Sequence, residues 1–188
     1  MRQLLAIFLT CALCACGGGG SGGSSIVNDE TTHSVVLSIG NETVRIDRSD
    51  LYTLDVPSSG NTVTIAAGDT LSRATVTGAN NTLIIENNVS ITTVELSGAN
   101  NSMSLGTGVI IAAFDIFGSN ATVNIRAGDR IDRLTISGSN AIVNILDATA
   151  VVPVINISGS NVIVRVPIGY LATTTVTNTG ANNQVVEQ

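Results

Sequence analysis

Asp55, Glu95 and Asp115 share one column of a repeat about 20 residues long, and Glu95 and Asp115 are one period apart. If successive repeats stack as neighbouring strands, about 5 Å separates the two carboxylates, near enough to share a cation or to divide acid and base roles. The plainer account is a solvated polar face, and the sequence favours it. Arg126, Arg130 and Arg133 stand among Asp129 and Asp132. That grouping suits ion pairing between repeats at the surface, or else contact with an anion or a glycan. His33 is the single histidine and reads as a solvated residue at the entrance to the folded part, not as a base. Serine and threonine are abundant, yet no Gly-x-Ser-x-Gly elbow accompanies a histidine. No nucleophile is placed with a base, so no catalytic residue is assigned and the chain reads as a non-enzyme.

Cys11, Cys14 and Cys16 all lie within the first sixteen residues, where they can staple nothing further along. A structural zinc site needs four ligands, and the only histidine is distant, so neither metal nor cofactor is expected. Residues 1–15 hold one Arg and then an apolar run of roughly a dozen residues, the length of a signal-peptide core and too short to cross a bilayer. The segment ends Leu13-Cys14-Ala15-Cys16. This resembles the lipobox of bacterial lipoproteins: an aliphatic residue, two small residues, then the cysteine that is acylated. Ala15 precedes Cys16 more suitably than Leu13 precedes Cys14 or Thr10 precedes Cys11. The resemblance implies cleavage after residue 15, a palmitate-type lipid on Cys16 and a lipid bilayer as partner. The alternative is an ordinary cleaved signal peptide with incidental cysteines. Residues 17–25 are only Gly and Ser, a flexible coil spanning roughly 15–18 Å root mean square, as a tether requires. In a Gram-negative cell, the absence of Asp directly after the cysteine implies sorting to the outer membrane.

The remaining residues, 26–188, suffice for one domain. The chain is 44% hydrophobic but only 3% aromatic, with no Trp, so its core must be built from Val, Ile, Leu and Ala. A net charge of -6 excludes a nucleic-acid binder, which needs a positive footprint.

What would position any of these side chains is the repeat itself. Asn41, Gly60, Asn80, Asn100, Asn120, Asn140, Asn161 and Asn182 form a column with spacings 19, 20, 20, 20, 20, 21 and 21. Three residues after it lie Val44, Val63, Leu83, Met103, Val123, Val143, Val164 and Val185; five after it lie Ile46, Ile65, Ile85, Leu105, Ile125, Ile145 and Val166. Six and four before it, the apolar pattern recurs, as in Phe114 with Ile116 and Leu134 with Ile136. Apolar pairs spaced by two mark strands with one buried face. A further apolar column, Leu51, Leu71, Ile91, Ile111 and Ile131, suggests a third short strand or side, and Gly68, Gly108, Gly128 and Gly169 mark a second turn.

A repeat this short cannot bury its own apolar face, whereas a stack of like repeats can. The expected fold is therefore all-β: a single-stranded parallel β-helix of about eight coils, roughly 38 Å long at one strand spacing per coil. Asn tolerates the left-handed backbone of a tight corner, and stacked amides can donate and accept from coil to coil. Asn41, Asn80, Asn100, Asn120, Asn140, Asn161 and Asn182 are accordingly expected to form an inward structural ladder. The preceding glycines, such as Gly98 and Gly118, supply positive φ or close approach. An antiparallel sandwich fits less well, because sandwich strands need not repeat. The body also resembles a group of bacterial secreted proteins with Gly-x-Asn-Asn-x-Val-x-Ile repeats, which implies this fold and no activity.

The functional expectation is a cell-envelope lipoprotein whose solenoid has a non-enzymatic structural or binding role, with an envelope glycan or protein as a candidate further partner. A glycan-active or glycan-binding β-helix is the second reading, although 19–21-residue spacings leave no room for the loops that carve active sites. A third is an ice- or surface-binding face: Thr43, Thr62, Thr82, Ser102 and Thr122 form a column, but it breaks at Ile142 and Ile163. Phe117, in an outward column, is a candidate contact point.

Overall fold

A computed structural model of the chain describes residues 26–29 and 33–188. The proposed signal segment, Cys16 and the Gly/Ser tether lie outside the described residues. Numbered in chain order, the strands begin with β1 (Ile26–Asp29), β2 (Ser34–Leu37) and β3 (Thr43–Ile46) and end with β16 (Thr175–Asn178) and β17 (Gln184–Glu187). Even-numbered strands after β1 build one sheet and odd-numbered strands from β3 the other, so each coil gives one strand to each sheet. The fold is a parallel β-solenoid of about eight coils. Like stacks on like: Thr122↔Ile142↔Ile163 and Val123↔Val143↔Val164↔Val185 are in register on one sheet, Phe114↔Leu134↔Ile155↔Val176 on the other.

The strands alternate because their inner residues meet across a single core. Val123, Val143, Val164, Phe114, Leu134 and Ile155 are all fully buried. The two faces hold each other's apolar rows, and no coil carries a core alone. Hydrogen bonds between coils continue through the corners, as at Thr122, whose N–H donates to Asn101 O at 3.0 Å.

The corner column adopts the left-handed conformation its composition predicts, from Asn41 (φ 63°) to Asn182 (φ 57°), with Gly60 at φ 78°. The second corner does the same at Gly68, Gly108, Gly128 and Gly169, with Asn88 (φ 58°) filling the gap in that column. Gly118 and its equivalents do not take positive φ. They are needed for close approach, since a Cβ on Gly118 would lie 2.0 Å from Gly98 O.

Three expectations are corrected. The asparagine column forms a ladder, but it faces outward: Asn80, Asn100, Asn120, Asn140 and Asn161 are exposed. The inward asparagines are their successors Asn61, Asn81 and Asn101, each about 1% exposed. These share strand parity with the inward Val63, Leu83 and Met103, whereas the left-handed residue before them turns its side chain to solvent. Second, Leu51 does not belong to the third apolar column. Leu51 is 56% exposed and Tyr52 is buried, because the strand Tyr52–Val56 pairs Tyr52 with Leu71 across a register shift. Its successor Thr70–Val76 carries one more outward residue there, which moves the inward position by one. Third, that column forms no separate short strand. Leu71, Ile91, Ile111 and Ile131 lie on the long strands of the first sheet, in register.

The two ends differ from the body. β1 pairs antiparallel with β2 and covers one sheet edge. At the other end Asn178 and Glu187 replace apolar core residues. The Glu187 carboxylate accepts from Gly169 N–H at 3.1 Å and the Asn183 amide donates to Asn178 at 2.9 Å, so both polar groups are used where the core stops.

Candidate functional site

Functional side chains on this fold can only lie on the outer faces of the two sheets and on the corners. On the first sheet Asp55, Thr75, Glu95, Asp115 and Thr135 form one in-register outer row. Glu95 and Asp115 are therefore direct cross-strand neighbours, as their spacing predicts. The row beside them holds Arg73, Thr93, Ala113 and Arg133. Arg73 lies 3.7 Å from Asp55 and Arg133 lies 3.9 Å from Asp115. Thr75 Oγ1, in the same row as the carboxylates, is a buried oxygen without a hydrogen-bond partner among the described residues. Among the described residues no group of three His, Cys, Asp or Glu side chains converges as metal ligands would. The arrangement is a charge-paired surface, with half-solvated partners of small energetic weight.

The arginine cluster divides into separate environments. Arg130 pairs with Asp132 at 2.7 Å on the surface. Asp129, expected there as a surface partner, is instead fully buried. It accepts from Arg126 N–H at 2.7 Å and from Val109 N–H at 2.9 Å, joining two coils. Burial pushes its carboxyl pKa up, and the two N–H bonds oppose that shift. Arg126 makes no ion pair among the described residues.

Sequence reading overlooked the counterpart of Asp129, Asp69, three periods earlier. The buried Tyr52 hydroxyl donates to Asp69 at 2.8 Å, and the Arg48 guanidinium lies 5.7 Å from the Tyr52 ring centroid. Burial raises the Tyr52 pKa, and the Asp69 carboxylate adds to that rise. The shared distance from the corner column was the available signal: Asp69 is nine after Gly60 and Asp129 nine after Asn120.

His33 sits at the N-terminal end with Nδ1 2.6 Å from Asp50 Oδ2. Asp50 also accepts from Arg48 Nε at 2.9 Å. Arg48 first, and His33 second, hold the Asp50 carboxyl below the usual carboxylate range. The histidine is thus an exposed group in hydrogen-bond contact with Asp50 at the entrance.

On the second sheet Thr43, Thr62, Thr82, Ser102 and Thr122 form one row, continued by Ile142 and Ile163. The adjacent row runs Arg45, Thr64, Ile84, Ser104, Asn124, Asn144 and Arg165. Within it Asn144 donates to Asn124 at 2.9 Å and Arg165 donates to Asn144 at 3.1 Å, a second and shorter ladder. The corner ladder is longer: Asn100 donates to Asn80 at 3.1 Å, Asn120 to Asn100 at 2.8 Å, Asn140 to Asn120 at 3.2 Å and Asn161 to Asn140 at 3.2 Å. All four of these bonds are exposed, and they link the corners of successive coils at the surface.

Arg45 reaches two coils along the rod to grip Glu86 with two N–H donors, and Ala67 N–H donates to the same carboxylate at 3.1 Å. The bidentate bond holds the Glu86 carboxyl below its ordinary range. Arg45→Met is expected to return the Glu86 titration midpoint toward that range, read by carbon-detected NMR. The sign for stability follows: what the pair contributes is present above the ordinary glutamate range and fades as pH falls through it. An unchanged midpoint in the variant would show that the Arg45 bond does not set it.

No helix among the described residues is long and apolar enough to cross a membrane. Comparison with protein-family models, with curated proteins and with solved structures finds no match to the chain.

Proposed function

We propose that the protein is a cell-envelope lipoprotein: a rod without enzymatic activity, anchored through acylated Cys16 and presenting its solenoid faces to an envelope or extracellular partner. One juxtaposition carries the reading. The Leu13-Cys14-Ala15-Cys16 sequence is followed by nine residues of Gly and Ser, and the first strand begins at Ile26, where that run ends. An anchor, a spacer with nothing to bury and a self-contained rod follow one another without overlap. The rod's form supports a presenting role: its outer rows are regular, its polar groups are largely paired with one another, and coil spacings of 19–21 residues leave no catalytic loop. In a Gram-negative host, Gly17 after the cysteine directs the protein to the outer membrane.

Metabolic labelling with radioactive palmitate tests the anchor. The wild-type chain is expected to take up label and fractionate with membranes. Cys16→Ser is expected to lose all label and leave the membrane fraction. Labelling that persists in Cys16→Ser, or an unlabelled wild type, would overturn the reading.

A further inference from the structure

At the second corner, six residues after the asparagine column, Ala66, Glu86, Gly106, Arg126, Leu146 and Pro167 occupy equivalent places. Gly106 leaves this column without a side chain between a carboxylate and a guanidinium. The result is a cleft of about 240 Å³ bounded by Glu86 and Arg126, floored by Ile84 and edged by Asn87 and Ser104. The gap is built in: a Cβ on Gly106 would lie 2.5 Å from Asn87 Oδ1 and 2.7 Å from the Glu86 carbonyl carbon. Glu86 and Arg126 stand two coils apart, about 9–10 Å at one strand spacing per coil.

The polar groups here are not equivalent to the paired charges elsewhere on the rod. Glu86 is pre-oriented by Arg45 and by Ala67 N–H. Its charge is compensated on the side away from the cleft's cation. The Asn87 carboxamide oxygen is committed to Thr107 N–H at 2.8 Å, which fixes the amide and leaves its NH2 without an internal partner among the described residues. Arg126 is a guanidinium with no ion pair among the described residues. Ile84 is 39% exposed, an apolar residue in a row where its neighbours are Thr64 and Ser104.

The geometry points to a binding site for one pyranose unit bearing a carboxylate, a hexuronate residue of a surface glycan. The cleft is smaller than the usual pockets for drug-sized ligands, and it combines an apolar floor with a few oriented polar groups. A pyranose ring has an apolar C–H face, which suits Ile84, and hydroxyls around its edge. Glu86 and Ser104 accept from hydroxyls, and the Asn87 NH2 donates. The planar fork of Arg126 matches a carboxylate in two parallel hydrogen bonds, which a hydroxyl alone does not satisfy. This site does not depend on the membrane anchor, so the two readings fail separately: labelling of Cys16 tests one and sugar binding the other.

The test uses the full chain in detergent, titrated with glucuronate and galacturonate oligosaccharides and followed by amide NMR. Glucose oligosaccharides and acetate serve as controls. Saturable shifts confined to Ala67, Asn87, Ser104 and Gly106 are expected with the uronates, with glucose and acetate at least tenfold weaker. Arg126→Leu copies Leu146 from the next coil, and Ile84→Thr copies Thr64 from the preceding one, so both variants fold. Each is expected to weaken uronate binding by tenfold or more. No shift in the tens of millimolar, equal binding of acetate, or full affinity in Arg126→Leu would overturn the proposal.

Discussion

Gly118→Ala is expected to break the solenoid between its fourth and fifth coils. A Cβ at this position would lie 2.0 Å from Gly98 O and 2.9 Å from Gly98 C, backbone atoms that have nowhere to move. Gly118 N–H is itself bonded to Leu96 O at 2.9 Å, so relieving the clash costs that intercoil bond as well. Overpacking against backbone on this scale exceeds about 5 kcal/mol, the size of mutational effect that removes a native state. The loss should be visible as collapse of the circular-dichroism strand signal, or as lost hydrogen-exchange protection across Ile110–Ile116 and Thr122–Ile125. The contrast is Gly128→Asn. Gly128 has φ 70°, a Cβ there would meet no atom closer than 3.7 Å, and Asn88 occupies the equivalent place at φ 58°. That variant should stay within about 1 kcal/mol of wild type. A wild-type denaturation midpoint for Gly118→Ala would remove the argument that close stacking of glycines sets the coil spacing.

Asn101→Ala is expected to cost about 4 kcal/mol, whereas Asn100→Gly, one residue away, stays within about 1 kcal/mol. Asn101 is buried. Its Oδ1 accepts from Asn81 N–H at 2.8 Å and its NH2 donates to Gly78 O at 2.9 Å. Alanine leaves a buried N–H and a buried carbonyl unpaired, each costing about 1–3 kcal/mol. For a domain of this size the melting temperature should fall by about 8–16 °C. Asn100 loses its ladder bonds to Asn80 and Asn120, but both are exposed and water replaces them, while Gly keeps the φ of 57°. Equal losses at the two positions would show that the outer ladder holds this corner as firmly as the inner one.

The candidate functional residues were legible to different degrees for physical reasons. Glu95 and Asp115 are neighbours because a column offset of one period becomes one strand spacing in any in-register stack. Arg45 and Glu86 are 41 residues apart, two coils and two residues. Nothing in either residue says that a long side chain will bridge two coils and skip the one between. Asp129 looks like a surface residue among arginines. It is buried because the corner turns it back over the N–H groups of Arg126 and Val109, and that turn is a property of the backbone path. The cleft at Gly106 arises from an absence in a column, which acquires meaning only once Glu86 and Arg126 flank it.

The sequence by itself determined the strands, their parallel stacking and the coil number. Apolar residues two apart, repeated every 20 residues, can be buried only if each coil lies on its own copy. The tertiary structure alone decided which of two adjacent asparagines points inward. A left-handed residue interrupts strand alternation, so parity must be counted from the strand after the corner and not from the corner itself. It also decided the slip that buries Tyr52 in place of Leu51, the antiparallel β1 at the entrance and the paired polar groups at the exit. These features are set by which backbone groups an end or a bulge leaves unpaired, and a periodic pattern carries no record of where it is interrupted in space.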